Sequence, residues 1–173
     1  MDNQRTALLN LGPNSQVSVQ EILEAIQALE KQKVTGENKE ALAGAWSLLW
    51  TSGTKKYQAA NKDLIKFSTT SVIQRFDAVR GWIENEVSLP YFSLTVEGPF
   101  LYSAEKKIQF TFQQLRLKLG FLPEIKIPFG NWASGWLRTT YIDEELHVER
   151  GDRGGVSVYR KVIPGTPIAT QMD

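Results

Sequence analysis

The sequence predicts a mainly β fold, an antiparallel barrel or sandwich behind an N-terminal helical segment, on three observations. Ile22, Leu23, Ile26 and Leu29 recur at the spacing of one helical stripe. Ile108, Phe110 and Phe112, then Leu115, Leu117 and Leu119, alternate with other residues at period two. From Trp136 to Val162, three strand-like runs are separated only by short turns, as in a meander.

The elements follow in order. Ala7, Leu8, Leu9 and Leu11 form a short apolar stretch stopped by Gly12-Pro13. Ser18 with Glu21 has the spacing of a capping box, so a helix is expected from Val19 to Lys31. Its polar side is mixed in charge, which fits a helix packed on a barrel better than one lying in a membrane. Thr35-Gly36-Glu37-Asn38 is expected to end this region. From Leu42 the period changes to two, and strict alternation puts Trp46, Leu48 and Trp50 on one face. Val72 to Val79 reads as a strand, Gly81 as a break, and Trp82 to Leu89 as the next strand. Pro90 separates this from a strand over Tyr91 to Val96, and Gly98-Pro99 reads as a turn.

Lys107 to Leu119 is the longest run. Its apolar phase slips at Gln113-Gln114, as it would at a β-bulge or where one pairing gives way to another. Pro123 and Pro128 are expected to break the chain before Trp132. Strands then follow over Trp136 to Ile142, Leu146 to Arg150 and Val156 to Val162, with turns at Asp143 to Glu145 and Gly151 to Gly155. The total is eight or nine short strands, with a helical segment at 1–36, a barrel domain at 37–163 and a loose tail at 164–173.

Composition narrows the function. A chain of 173 residues with no cysteine is large enough for an unstapled core, and it excludes disulfides and thiolate metal sites. A formal charge of +1 argues against nucleic acid as the partner. No run of about 18 apolar residues is present to span a bilayer as a helix. The lone histidine, His147, alternates with Glu145 and Glu149, so all three share a strand face. That face reads as solvated, with divalent metal binding as the sharper alternative, and neither a metal nor a cofactor is assigned. With no Gly-x-Ser-x-Gly elbow and no cysteine nucleophile, an enzyme is not expected.

Gly135-Trp136-Leu137-Arg138-Thr139-Thr140-Tyr141-Ile142-Asp143, continuing through Leu146 to Arg150-Gly151, resembles the closing signature of the plastid lipid-associated proteins, the fibrillins of plastids and cyanobacteria. Leu42-Ala43-Gly44-Ala45-Trp46 through Ser52 resembles the family's opening strand, with Trp50 in place of its usual Tyr. Gln74-Arg75-Phe76-Asp77 and Asn85-Glu86-Val87 are similar to its middle pattern. His147 stands where the pattern has Arg, a departure expected to add modest pH sensitivity.

The resemblance implies a lipocalin-like antiparallel β-barrel with an N-terminal helical segment. It also implies non-enzymatic binding of a hydrophobic small molecule (a carotenoid, quinone or acyl lipid) at thylakoid or lipid-globule surfaces. The alternative is a structural protein with a filled barrel. Trp46, Leu48, Trp50, Phe76, Val87, Phe110, Phe112 and Trp136 would line the interior. Arg138, Tyr141, Asp143 and Arg150 would supply polar contacts or fix the hairpins. Peripheral membrane contact is expected and the oligomeric state is left open. The N-terminus has no signal or transit pattern, so a cyanobacterial protein, cytoplasmic and peripheral to the thylakoid, is expected over a trimmed plastid one.

Overall fold

The computed structural model describes residues 2–12, 15–32, 39–53 and 72–163. The expected tail at 164–173 and the turn at 35–38 lie outside them. Helices α1 (Asp2–Leu9), α2 (Val19–Glu30) and the short α3 (Lys39–Leu42) precede eight strands. These are β1 (Gly44–Thr51), β2 (Val72–Asp77), β3 (Trp82–Leu89), β4 (Phe92–Tyr102), β5 (Lys107–Leu119), β6 (Ile125–Ile142), β7 (Leu146–Gly151) and β8 (Val156–Lys161). Each strand pairs antiparallel with the next, and β8 pairs back to β1, so the sheet closes into a barrel. Sequence patterning left barrel and sandwich open; the β1–β8 pairing decides for the barrel.

Local chemistry accounts for the helix start. Ser18 caps α2: its hydroxyl accepts from the Glu21 N–H, and the Glu21 carboxylate accepts from the Ser18 N–H at 2.8 Å. Ile22, Ile26 and Leu29 of α2 and Leu8 of α1 are buried against Tyr141, Leu146, Val148, Val156 and Val158 on the outer face of β6–β8. The second cluster is the barrel's own core: Trp46, Leu48, Phe76, Ile83, Phe100, Ile108, Ile142 and Tyr159, closed at one end by Leu42 of α3.

Irregularities set which side chains face inward. The phase slip read at Gln113-Gln114 is a register shift between Phe112 and Gln114, so Phe110 and Phe112 before it and Leu115 and Leu117 after it all face the interior. A second shift, between Leu48 and Trp50, escaped the sequence reading. It moves Trp50 into register with Val158 and onto the outer face beneath the helices, so Trp46 and Leu48 do not share a face with Trp50.

Gly98-Pro99 is not a turn: β4 runs through it at a third shift, between Glu97 and Phe100. Gly98 is needed there because a Cβ would stand 2.0 Å from the Thr111 carbonyl oxygen. Pro128 likewise lies inside β6 rather than ending it, opposite Gln114 at the β5–β6 irregularity.

Candidate functional site

The barrel interior has three zones. At the closed end, Trp46 is fully buried and its indole N–H donates to the Leu42 carbonyl at 2.8 Å. Phe76 and Phe100 meet edge to face at 5.5 Å. Filled in this way, the closed end is packed core.

At mid-height the wall turns polar. Gln74, Thr139, His147 and Glu149 are all buried and all face inward, on β2, β6 and β7. Glu149 accepts from the Tyr159 hydroxyl at 2.8 Å and from the Gln74 side chain. Burial nevertheless pushes its carboxyl up to about 7. His147 Nε2 lies 3.2 Å from Thr139 Oγ1, and the ring stacks on Tyr159 at 5.8 Å. Burial, then the nearby Lys161 charge, pushes the imidazole down to about 3, so it is neutral near pH 7. Burial raises the Tyr159 hydroxyl well above its usual range, and the Glu149 charge and hydrogen bond add to that. Lys161 sits over the Trp46 ring at 4.2 Å and donates to the Ala43 carbonyl; burial lowers its ammonium.

Beyond this belt the interior opens. Cα partners across antiparallel strands share a face, and register carries one row from Trp46 through Gln74, Asn85, Val96 and Leu115 to Ile127. Next to it runs a second row, Val87, Leu94, Leu117 and Ile125, and then Leu89, Phe92 and Leu119. Past Trp46, Gln74 and Asn85 the side chains of these rows are apolar and only partly buried, and four are exposed: Leu89 keeps 41%, Leu119 39%, Ile125 50% and Ile127 43% of its surface in solvent. The β3–β4 and β5–β6 tips at this end are joined by the Gly120 N–H donating to the Tyr91 carbonyl at 2.6 Å. They carry exposed Tyr91, Phe121 and Leu122. Tyr91 has φ 64°, where Gly or Asn is the usual residue.

The structure divides the residues singled out from sequence. Trp46, Leu48 and Phe76 lie inside, in the packed end; Phe110 and Phe112 lie inside beside it, rings 4.7 Å apart; Val87 lies on the open wall. Trp50 lies outside under α1 and α2. Trp136 faces out with its register partner Gln109, under Lys107 Nζ at 4.7 Å. Arg138 is exposed on the same outer face, 3.8 Å from Glu105.

Tyr141, Asp143 and Arg150 are placed where they fix the hairpin and hold the helices. Asp143 accepts from the N–H groups of Glu145 and Leu146, from the Tyr141 hydroxyl, each at 2.8 Å, and from Arg5 of α1 at 2.7 Å. Burial would raise this carboxyl, but Arg5 and the other donors hold it below its usual range. Arg150 grips Glu30 of α2 with two hydrogen bonds of 2.8 Å.

His147 overturns its solvated-face reading. Leu146 and Val148 are covered by helices while His147 and Glu149 face the interior, so both faces of β7 are buried. Glu145 is instead in the turn, paired with Arg5. Among the described residues, no group of three His, Asp or Glu side chains is arranged to hold a metal ion. The open wall was missed as a unit, although the Leu115/Leu117/Leu119 alternation signalled it. A separate open cleft of about 360 Å³ is lined by Ala45, Arg75, Asp77, Trp82 and Glu84; Arg75 is paired with Glu84 and Glu86, and Asp77 accepts from the Arg80 N–H.

Comparison with known proteins adds the following. A family model described as PAP_fibrillin matches residues 8–160. The chain is 27% identical to Plastid lipid-associated protein 3, chloroplastic, of Brassica campestris, over 83% of this chain and 53% of that protein. It is 24% identical to Chromoplast-specific carotenoid-associated protein C1, chromoplastic, of an Oncidium hybrid cultivar, over 92% of this chain and 50% of that one. It is 25% identical to Light-induced protein, chloroplastic, of Solanum tuberosum, over 93% and 48% respectively. The chain thus spans about half the length of these relatives. No solved structure matches it.

Proposed function

The chain belongs to the PAP_fibrillin family, and on that premise we propose that it is a non-enzymatic carrier that holds a hydrophobic small molecule in the open half of its barrel. The ligand class is that of carotenoids, quinones or acyl lipids, and the working place is a thylakoid or lipid-globule surface. Relatives named as lipid-associated and carotenoid-associated support the class.

One observation carries the reading: an inward-facing apolar wall on β3–β6 that the described residues leave partly open, with Leu89, Leu119, Ile125 and Ile127 each at least 39% exposed. Exposed apolar surface of this extent marks a ligand or interaction site. An eight-stranded barrel is wide enough for one small ligand where side chains do not fill it.

Leu115→Trp tests this by filling the wall without touching the packed end. Binding of the neutral fluorophore N-phenyl-1-naphthylamine should weaken at least about tenfold, with the thermal midpoint unchanged. Unchanged binding would overturn the proposal. Trp46→Ala is not a binding test, since truncating a fully buried Trp costs about 3–5 kcal/mol of fold stability.

The second reading is a structural coat on a lipid surface. The exposed Tyr91, Phe121 and Leu122 at neighbouring hairpin tips favour it. Native mass spectrometry separates the two: a small apolar molecule carried through purification supports the carrier.

A further inference from the structure

We propose that the mid-barrel polar belt reads the hydroxyl end of a neutral apolar ligand, so that the cargo enters head first and its apolar body lies along the β3–β6 wall. This rests on the carrier reading and specifies its ligand. Four buried side-chain atoms around the belt have no hydrogen-bond partner: Gln74 Oε1, Asn85 Oδ1, His147 Nδ1 and Glu149 Oε2. Gln74, His147 and Glu149 are each at least 97% buried. Leaving such a group unpaired costs about 1–3 kcal/mol, and folded proteins keep few of them.

Placement ties these atoms to one another and to the wall. Gln74 and Asn85 are direct cross-strand partners, Gln74 also bonds Glu149, and His147 is two residues before Glu149 on the same face. Asn85 in turn pairs with Val96, which begins the half-open apolar row. From Asn85 to the tip at Leu89 the strand gives about 13 Å of wall. A ligand lying on that wall therefore has its inner end at the orphaned oxygens.

The chemistry of those atoms selects the head group. The two amide oxygens can only accept, and Glu149 Oε2 accepts when ionised, so three of the four orphaned atoms call for a donor, which a hydroxyl supplies; His147 Nδ1 accepts or donates with its tautomer, and a hydroxyl meets either. A carboxylate or phosphate head supplies none and would face the Glu149 carboxyl and amide lone pairs. Lys161, whose charge acts on His147, is already engaged by Trp46 and the Ala43 carbonyl. An ether or a hydrocarbon end would bury the acceptors unpaired.

The test uses three probes with one polyene body: retinol, retinyl methyl ether and retinoic acid, titrated into the delipidated full chain at pH 8 by tryptophan quenching. Retinol is expected to bind about tenfold tighter than the ether, with the acid no tighter than the ether. In Gln74→Leu and Asn85→Leu the retinol advantage should fall below about threefold while the ether keeps its affinity. If either variant fails to fold, the wild-type ranking decides. Equal affinity for all three probes, or tightest binding of the acid, would overturn the head-group assignment and leave the carrier reading standing. No binding of any probe would sink both.

Discussion

Glu149 and His147 share a strand face inside the barrel, and burial drives them in opposite directions. Glu149 keeps its proton up to about pH 7 in the fold, against an ordinary carboxyl value of 4.5, so it lowers stability as pH rises from 4.5 to 7. The imidazole titrates near 3 in the fold against 6.5, so it raises stability over that window. Between 4.5 and 6.5 the two slopes cancel; below that window His147 acts alone, and above it Glu149 does. Glu149→Gln removes one arm. Urea titrations should then show stability still climbing to pH 6.5, and a gain of about 1–3 kcal/mol over wild type at pH 8. No gain at pH 8 would mean that Glu149 is hydrated. That the two residues share a face was legible from their spacing. Which way the face points was not, because α1 and α2 cover the other side and neither face of β7 meets water.

Helices and strands were legible where one side of an element is wet. The α2 stripe and capping box, and the bounds of β3 and β5, match the alternation and cap chemistry of the sequence. The bulge in β5 betrayed itself because apolar residues changed phase across it. The one in β1 did not: Leu48 packs inside and Trp50 packs under the helices, so both sides of the wall are apolar. Gly98 misled for a related reason, its role being close approach rather than turning. Gly98→Ala should cost about 2–3 kcal/mol in urea unfolding, since its Cβ meets the backbone of β5. Gly12→Ala, with nothing within 4 Å, is the control and should be near neutral. Equal effects would remove the steric account of the β4 irregularity.

For the molecule as a whole, the interior is packed at one end, polar in the middle and open at the other, and the open end carries exposed Tyr91 and Phe121 on joined tips. Tyr91→Gly with Phe121→Ser should reduce cosedimentation with galactolipid vesicles at least about fivefold, with stability changed by less than about 1 kcal/mol. Undiminished cosedimentation would place any lipid contact elsewhere. The interior aromatics read from the sequence lie at or beside the packed end, while the proposed site is the aliphatic half, because large rings fill space and the smaller Leu, Val and Ile leave it. The seam joins Trp46 of β1 to Lys161 of β8, nearly opposite ends of the barrel domain. During synthesis, then, the first strand waits for the last to leave the ribosome before it gains its second neighbour. Until that moment the greasy lining stays open to solvent, which makes the unfinished chain prone to aggregate.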